Sequence, residues 1–362
     1  MKRVFAGAAA IILAASLFFP CSAISAQSAI VLDGQTGRVL YEKQADKQSL
    51  IASTTKIMTA LIVCEQTNVL DRVRIPQEAV GIEGSSIYLK AGEVLTVQDL
   101  LYGLMLHSGN DAAVALAIYC GGTVEGFAEL MNDKAHRLGM KDTHFVNPNG
   151  LDSPGHYSTA RDMAVLAAYA MQNPIFARTV STKTVTAGNR SFRNHNKLLW
   201  LLEGADGVKT GFTKAAGRIL VSSCTRQGRR LIAVTMNDRN DWQDHQHLLE
   251  DGFSRYTVQQ LIHAGDCMGT RQIISGEEGC VELLATEDFS YALAPQEQPE
   301  FVLSGPEFVY APVAEGQEAG VVYICLDGAA VGKVSVVFGK TVELENVKKP
   351  SLWEKLFKGG KS

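Results

Sequence analysis

A change in hydrophobic periodicity near residue 262 divides this chain of 362 residues into two parts that must fold differently. Before it, apolar residues recur at helical spacing, as in "TARDMAVLAAYAMQ", and also in β-type runs such as "GRILVSSC". After it, helical periods disappear and short β-rich runs follow, with a hairpin turn at Asp327-Gly328. We therefore expect a mixed α/β domain over residues 27–262 and a small all-β domain over residues 263–347.

The first 26 residues have the pattern of a secretory signal peptide. Lys2-Arg3 is followed by an apolar run that ends at Phe19 and then by the small residues of "CSAISAQSA". A transmembrane anchor is the alternative, but a run of about 16 residues is short of the roughly 20 that a span requires. We expect the leader to occupy residues 1–26, with cleavage somewhere between Ala23 and Ala29.

The last 15 residues, 348–362, form an amphipathic pattern of their own. Their apolar residues are Leu352, Trp353, Leu356 and Phe357, and their basic residues are Lys348, Lys349, Lys355, Lys358 and Lys361. The pattern predicts a helix that lies on a membrane surface, since it is too short to span a bilayer. A helix docked on the β domain, or a frayed tail, is the alternative. Leader and tail together predict an exported, extracytoplasmic protein attached to the outer face of the cytoplasmic membrane.

Charge and cysteine content narrow the possible partners. The formal net charge is −4, and it becomes −6 when Lys2 and Arg3 leave with the leader, so we expect no nucleic-acid binding.

After the leader six cysteines remain, at positions 64, 120, 224, 267, 280 and 325, with no C-x-x-C pair. Export permits disulfides, and Cys267–Cys280 is the pair to test. The alternative is that all six are reduced and mostly buried as small hydrophobes.

The stretch "LIASTTKIMTA" places Ser53 and Lys56 three residues apart at the predicted start of an apolar helix. A serine hydroxyl is a weak nucleophile unless a base takes its proton. A lysine becomes that base only if burial and a neighbouring positive charge lower its pKa. The pair alone is a weak signal, because roughly one such spacing is expected by chance in a chain of this length and composition.

Two further motifs follow in order: Ser108-Gly109-Asn110 at a break between helices, and Lys209-Thr210-Gly211 at the start of an apolar strand. The order S-x-x-K, S-x-N, K-T-G is the active-site set of penicillin-binding proteins and serine β-lactamases. With "SSIYLKAGE", "NPNGLD", "HYSTARDMA" and "NHNKLLW", the chain resembles the low-molecular-mass penicillin-binding proteins, the serine-type D-alanyl-D-alanine carboxypeptidases. The resemblance covers nearly the whole chain after the leader.

The resemblance implies an α/β fold of the β-lactamase/transpeptidase type, an antiparallel sheet flanked by helices, followed by the small all-β domain. It implies removal of the terminal D-alanine from peptidoglycan pentapeptides. The partners would be peptidoglycan stem peptides, with β-lactam antibiotics as covalent inhibitors.

The resemblance, together with the chemistry of the side chains, implies a role for each motif residue. Ser53 would be the nucleophile, Lys56 its general base, and Ser108 the relay of a proton to the leaving amine. Asn110 would hold Lys56 and the substrate amide, while Lys209 and Thr210 would bind the terminal carboxylate. Gly211 would let its strand approach the substrate backbone. The backbone N–H groups of Ser53 and Phe212 would form the oxyanion hole.

Three other functions remain as alternatives. A class A β-lactamase uses a glutamate between the second and third motifs, and residues 131–202 contain none. A D,D-endopeptidase acting on crosslinked peptidoglycan would use the same residues. A penicillin-binding sensor would be acylated without hydrolysing its substrate. Access of the second substrate, which the sequence does not show, decides between carboxypeptidase and endopeptidase activity.

Several residues depart from the motif set or invite another interpretation. His195 lies where some relatives carry arginine, and Phe212 where a polar residue often follows K-T-G. Asp162 is either near the site or a helix-start carboxylate favoured by the helix dipole. His245 and His247 form an H-x-H pair, but they do not share a helix face. We therefore expect no metal and no cofactor.

Overall fold

The computed structural model of the protein describes residues 24–345. The predicted tail at 348–362 and most of the predicted leader lie outside the described residues, so both remain predictions. Residues 24–256 are called the amino-terminal region below, and residues 257–345 the carboxy-terminal region.

The amino-terminal region alternates helices with strands, as the mixed periodicity predicts. Its strands are β1 (Ser28–Asp33), β2 (Val39–Lys43), β3 (Arg72–Arg74), β4 (Val94–Thr96), β5 (Thr184–Ala187), β6 (Arg190–Arg193), β7 (Ala205–Thr213), β8 (Gly217–Arg226) and β9 (Arg229–Met236). Its helices are α1 (Lys56–Gln66), α2 (Val97–Leu106), α3 (Asn110–Gly121), α4 (Val124–Arg137), α5 (Ala160–Ala170), α6 (Pro174–Ser181), α7 (Leu198–Leu201) and α8 (Asp241–Arg255). Short 3₁₀ turns occur at Ala52–Thr55 and Gln77–Ala79.

Five antiparallel strands form the central sheet, in the order β2-β1-β9-β8-β7. The sheet is buried on both faces, and the alternation of side chains along β1 shows why. Ile30 and Leu32 pack into the core shared with helices α1 to α6, while Ala29 and Val31 pack into the core beneath α8. The predicted antiparallel sheet flanked by helices is therefore confirmed.

The carboxy-terminal region is all β, as the change in periodicity predicts. Its strands are β10 (Thr257–Ile262), β11 (Cys267–Ile274), β12 (Cys280–Ala285), β13 (Phe289–Leu293), β14 (Glu300–Ser304), β15 (Phe308–Tyr310), β16 (Glu318–Leu326) and β17 (Ala329–Phe338). Six of them form a sheet in the order β14-β16-β17-β12-β11-β15, and β10 pairs with β13. Because β10 ends at residue 262, the expected boundary there falls at the end of a strand whose partner lies in the carboxy-terminal region.

The strand register excludes the Cys267–Cys280 disulfide that the sequence left open. Cys267 lies opposite Leu284, and Cys280 lies opposite Gln272, so the two cysteines are at opposite ends of the β11–β12 hairpin. Five residues of strand separate Cys267 from Gln272, a distance of about 16 Å at the usual rise per residue. A disulfide needs Cα atoms within about 7 Å. Both cysteines are free.

Arg38 joins the two regions at the end of the first hairpin. Its guanidinium donates to both carboxylate oxygens of Glu297, at 2.7 and 2.5 Å, and to the carbonyl oxygen of Ala292. It also lies over the rings of Tyr256 and Tyr291, 4.8 and 5.3 Å from their centroids. A bidentate pair flanked by aromatic rings fixes orientation more firmly than an exposed ion pair.

Among residues 24–345, no single helix is long and apolar enough to cross a membrane. The consecutive helices α3 and α4 reach the required length and composition only as a pair, which is bent by 82° at the break between them.

Candidate active site

Ser53 lies in the 3₁₀ turn that leads into α1, rather than in the α-helix that the sequence predicts to start there. The turn begins at Ala52, whose φ is +45°, and Thr54 closes it by donating from its hydroxyl to the carbonyl oxygen of Ile51 at 2.5 Å. Ala52, Thr54 and Thr55 are buried, whereas Ser53 is partly exposed. The turn therefore leaves Ser53 partly exposed while it buries the residues on either side.

Gly150 holds this turn from the opposite side. It adopts a φ of +84°, and a Cβ placed on it would lie 1.9 Å from the carbonyl oxygen of Ala52. Its N–H donates to the side chain of Asn147 at 2.7 Å. A glycine is required here because backbone meets backbone.

Lys56 is fully buried and reaches three oxygen atoms. Its Nζ lies 3.1 Å from Ser53 Oγ, 2.7 Å from Asn110 Oδ1 and 2.5 Å from the carbonyl oxygen of Asn149. Burial, and then the charge of Lys209, hold the pKa of Lys56 well below its usual value, although Asp111 opposes this. A neutral amine has two N–H donors and one lone pair. In the neutral form that this shift favours, donation of both N–H groups to the two carbonyl oxygens would leave the lone pair for the hydroxyl of Ser53.

The second motif lies between α2 and α3 and closes another side of the site. Ser108 is buried and has a φ of +65°, a conformation that is uncommon for a residue with a side chain. Asn110 begins α3, and its Nδ2 donates to the carbonyl oxygen of Glu83 at 2.6 Å. Because this bond fixes the amide orientation, the Oδ1 of Asn110 is the atom that meets Lys56.

The third motif lies on β7, an outer strand of the central sheet. Lys209 is 1% exposed and its Nζ donates to the carbonyl oxygen of Thr210 at 2.9 Å. Burial lowers the pKa of Lys209 to about 7. A Cβ placed on Gly211 would lie 3.3 Å from both the Ile51 carbonyl oxygen and the Ser53 nitrogen. The glycine thus lets β7 approach the turn that carries the nucleophile.

A cleft of about 880 Å³ opens at the meeting point of the three motifs. Its lining includes Ser53, Ser108, Thr210, Gly211 and Phe212. The structure therefore brings Ser53, Lys56 and Asn110 into direct contact, and it places the other predicted site residues along the same cleft or, for Lys209, buried on the strand beside it. Further lining residues are Ser85, His107, Ser191, Arg193, Asn194, His195, Lys197, Trp200, Arg218, Ile219, Asp241 and Trp242.

Three residues at the site escaped the sequence interpretation, and the first two are Asn149 and His156. Asn149 acts through its backbone carbonyl, which leaves no signature in the residue type. His156 is 2% exposed and supports the serine turn from behind: its Nδ1 accepts from the Val146 N–H at 3.0 Å, and its Nε2 lies 2.8 Å from Thr55 Oγ1. Burial, with the neighbouring His144, lowers the pKa of His156 to about 4, so its ring is neutral.

Asp111 is a third residue that sequence reasoning missed. Its buried carboxylate, in the first turn of α3, accepts from the N–H groups of Ile87 and Leu89 at 3.1 and 3.0 Å, and from the Ser86 hydroxyl at 2.6 Å. It ties the loop before β4 to the helix that carries Asn110. Its charge also favours the protonated form of Lys56.

Asp111→Asn is expected to lower the free energy of unfolding by about 3 kcal/mol, because several donors lose a charged acceptor. It is also expected to move the acidic limb of the pH profile of penicillin acylation to lower pH, since loss of the negative charge lowers the pKa of Lys56 further. Denaturant unfolding and second-order acylation rates between pH 4 and 9 would measure both effects.

Asp99→Asn is the matched control. Asp99 caps α2 through the N–H and hydroxyl of Thr96, at 3.0 and 2.6 Å. Its replacement should reduce stability without moving the acidic limb. An unchanged limb in Asp111→Asn would contradict the assigned electrostatic role.

The remaining candidates have structural partners. Asp162 lies in the first turn of α5, and its carboxylate accepts from the Asp142 N–H at 2.9 Å and the Thr143 hydroxyl at 2.7 Å, which agrees with the helix-start alternative. Both ring nitrogens of buried His245 are bonded to hydroxyl groups, of Ser222 and Thr235, whereas His247 is exposed. These two histidines therefore lie in different environments.

His195 lines the cleft as a neutral ring. Its centroid is 5.2 Å from that of His107. Burial, and then the charges of Lys209 and His107, lower its pKa to about 4. This part of the cleft lining therefore has an uncharged group.

Comparisons with known proteins agree on one family. The model of the family described as D-alanyl-D-alanine carboxypeptidase matches residues 15–240, and that of the penicillin-binding protein 5 C-terminal domain matches residues 256–344. The chain is 33% identical to D-alanyl-D-alanine carboxypeptidase DacF of Bacillus subtilis over 86% of this chain and 84% of that protein. It is 35% identical to DacD of Escherichia coli over 82% and 81%. The crystal structure of penicillin binding protein 5 from Haemophilus influenzae superposes with a TM-score of 0.78 at 31% identity, covering 89% of this chain and 98% of that one.

Proposed function

The chain belongs to the D-alanyl-D-alanine carboxypeptidase family and is a serine-type hydrolase, and we propose the route by which its cleft removes the terminal D-alanine from peptidoglycan pentapeptides. The observation that carries this route is the environment of Lys56: a buried amine whose two carbonyl partners leave its lone pair for Ser53. General bases of this kind contribute about 10²- to 10⁴-fold to the rate.

In the first step, Lys56 takes the proton of Ser53, and Ser53 Oγ attacks the carbonyl carbon between the two D-alanines. The negative charge moves to the carbonyl oxygen. The N–H groups of Ser53 and Phe212 are the proposed donors to it, which the close approach of Gly211 to the Ser53 nitrogen supports. One such donor is typically worth about 3 kcal/mol.

In the second step, the peptide C–N bond breaks and the leaving amine takes a proton. Ser108 lines the same cleft as Ser53 and is the proposed relay, which would pass on the proton that Lys56 acquired. D-Alanine leaves, and the remaining stem peptide stays bound to Ser53 as an ester. Water then hydrolyses this ester with the same base, which returns Ser53 to its hydroxyl form.

The terminal carboxylate of the substrate is the proposed ligand of Lys209 and Thr210. An ammonium at Lys209 and the hydroxyl of Thr210 provide charge-assisted hydrogen bonds at the cleft wall. A bound penicillin presents its own carboxylate to the same groups and acylates the same serine. This accounts for β-lactams as covalent inhibitors of the family.

Fluorescent penicillin labelling combined with a D-alanine release assay tests the route. Labelling at Ser53, located by mass spectrometry, together with release from a pentapeptide is the expected outcome. Labelling without release would indicate a sensor, and rapid loss of the label a β-lactamase. Hydrolysis of crosslinked peptide dimers to monomers, measured on whole peptidoglycan, would indicate the endopeptidase alternative.

We also propose export and attachment to the membrane surface, supported by the leader pattern of residues 1–26 and the amphipathic pattern of residues 348–362. One short amphipathic helix gives modest, reversible binding. A chain shortened after residue 347 should therefore move from the membrane fraction to the soluble fraction. Unchanged membrane association of that shortened chain would overturn the role of the tail.

A further inference from the structure

Residues 24–26, which the sequence interpretation assigns to the leader, are built into the amino-terminal region. Ile24 is 6% exposed and Ala26 is 1% exposed. Both pack in the core beneath α8 that also contains Leu231 and Leu248. The carbonyl oxygen of Ile24 accepts from Lys43 Nζ at 3.1 Å. A leader that is discarded has no physical reason to fill the core of the domain that it precedes.

Ser25, which lies between these two core residues, makes polar contacts instead. It bridges two carboxylates at the connection between β9 and α8. Its N–H donates to Asp244 Oδ2 at 2.6 Å, and its hydroxyl lies 3.0 Å from the same oxygen and within hydrogen-bond distance of Asp238 Oδ1. The Asn240 N–H in turn donates to Ser25 Oγ at 3.1 Å. Asp238 is 1% exposed and Asp244 is 7% exposed.

Removal of residues 24–26 would leave these two carboxylates without their shared donor. Buried like charges that lose a hydrogen-bond donor are strongly unfavourable. The connection that they stabilise continues into Asp241 and Trp242, which line the cleft. A cut after Ala26 would therefore damage both the core and one wall of the cleft.

We infer that the leader is removed at the bond between Ala23 and Ile24, so that the mature chain begins with Ile24. The residues before this bond are Cys21-Ser22-Ala23, which provide the small side chains that a leader peptidase requires at the third and first positions. This inference rests on the export proposed above. The peptidase uses one water to form the carboxylate of Ala23 and the free amino group of Ile24. The new ammonium lies one residue from Ser25 and adds a positive charge near Asp238 and Asp244.

The direct test is to express the full-length precursor in an exporting bacterium and to determine the mature protein's intact mass and amino-terminal sequence. Ile24 as the first residue is the expected result. Gln27 as the first residue, any other start, or an uncut precursor would overturn the inference. Penicillin labelling of the same preparation tests the proposed function separately. Labelled protein that begins at Gln27 would contradict the cleavage site alone. Unlabelled protein that begins at Ile24 would support the cleavage site and contradict the proposed function.

A stability measurement tests the physical reason. Chains beginning at Ile24 or at Gln27, each after an initiator methionine, are compared by thermal unfolding. The shorter chain is expected to melt at least about 5 °C lower, because it loses several buried contacts and hydrogen bonds to charged groups. Ser25→Ala in the longer chain, which keeps the backbone N–H bond, should give a smaller decrease. Equal melting temperatures for the two chains would overturn the inference.

Discussion

Lys56→Arg is expected to reduce the rate of Ser53 acylation by penicillin, and the rate of D-alanine release, by about 10³-fold. An arginine at this position carries a permanent positive charge, because its guanidinium does not lose its proton in proteins. The lone pair that faces Ser53 Oγ at 3.1 Å therefore disappears, while the contact with Asn110 remains possible. Stopped-flow acylation with a chromogenic β-lactam would measure the loss.

Lys134→Arg provides the control for a conservative exchange at a partly buried lysine. Lys134 pairs with Glu65 at 2.6 Å and lies over the ring of Tyr169, on helix α4 rather than in the cleft. Acylation by this variant should stay within about twofold of the unmodified enzyme. If Lys56→Arg retained more than a tenth of the original rate, Lys56 would not be the general base.

The second large effect concerns pH. Because the pKa of Lys209 is lowered to about 7, its ammonium is lost as pH rises through neutrality. The value of kcat/KM for a D-alanyl-D-alanine substrate should therefore fall above about pH 7, approaching tenfold per pH unit. The ascending limb belongs to Lys56, whose pKa is lowered further by the charge of Lys209. We therefore expect activity in the pH range where Lys56 is neutral and Lys209 is still charged.

A substrate whose terminal carboxylate is amidated tests the contribution of the Lys209 ammonium to kcat/KM. It has no anion for Lys209 to bind, so its kcat/KM should be about 10²-fold lower at pH 6.5 and should lack the steep decrease above pH 7. Initial rates for both substrates between pH 5 and 10 would provide the comparison. Identical descending limbs for the two substrates would show that another group controls the loss of activity.

The meeting of Ser53, Lys56 and Asn110 was predictable from the sequence, because the three side chains belong to motifs with short, fixed spacings. Ser53 and Lys56 are three residues apart, and that spacing brings their side chains to 3.1 Å even though a 3₁₀ turn replaces the expected helix start. Asn149 was not accessible, because a backbone carbonyl is common to all residue types. Its position depends on the loop that Gly150 packs against Ala52.

The sequence also did not predict which residues lie opposite each other on neighbouring strands. The two-part architecture followed from periodicity alone, and the β16–β17 hairpin followed from the turn residues Asp327 and Gly328, both of which have positive φ. Which residues face each other across β11 and β12 did not follow, so Cys267 and Cys280 looked closer than they are. Likewise, the small residues of the leader boundary gave no sign that Asp238 and Asp244, more than 200 residues later, bind Ser25.

The outermost position of β7 has a consequence for solubility as well as for catalysis. Edge strands in soluble proteins are normally protected, because their unpaired backbone N–H and C=O groups can pair with strands of other molecules. Here β7 is the last strand of the sheet, and it passes so close to the nucleophile that a Cβ on Gly211 would lie 3.3 Å from the Ser53 nitrogen. The 64% exposure of Phe212 on this strand adds to the hazard. We therefore expect some self-association through β7 at high protein concentration, which saturating amounts of a small β-lactam should suppress by filling the neighbouring cleft.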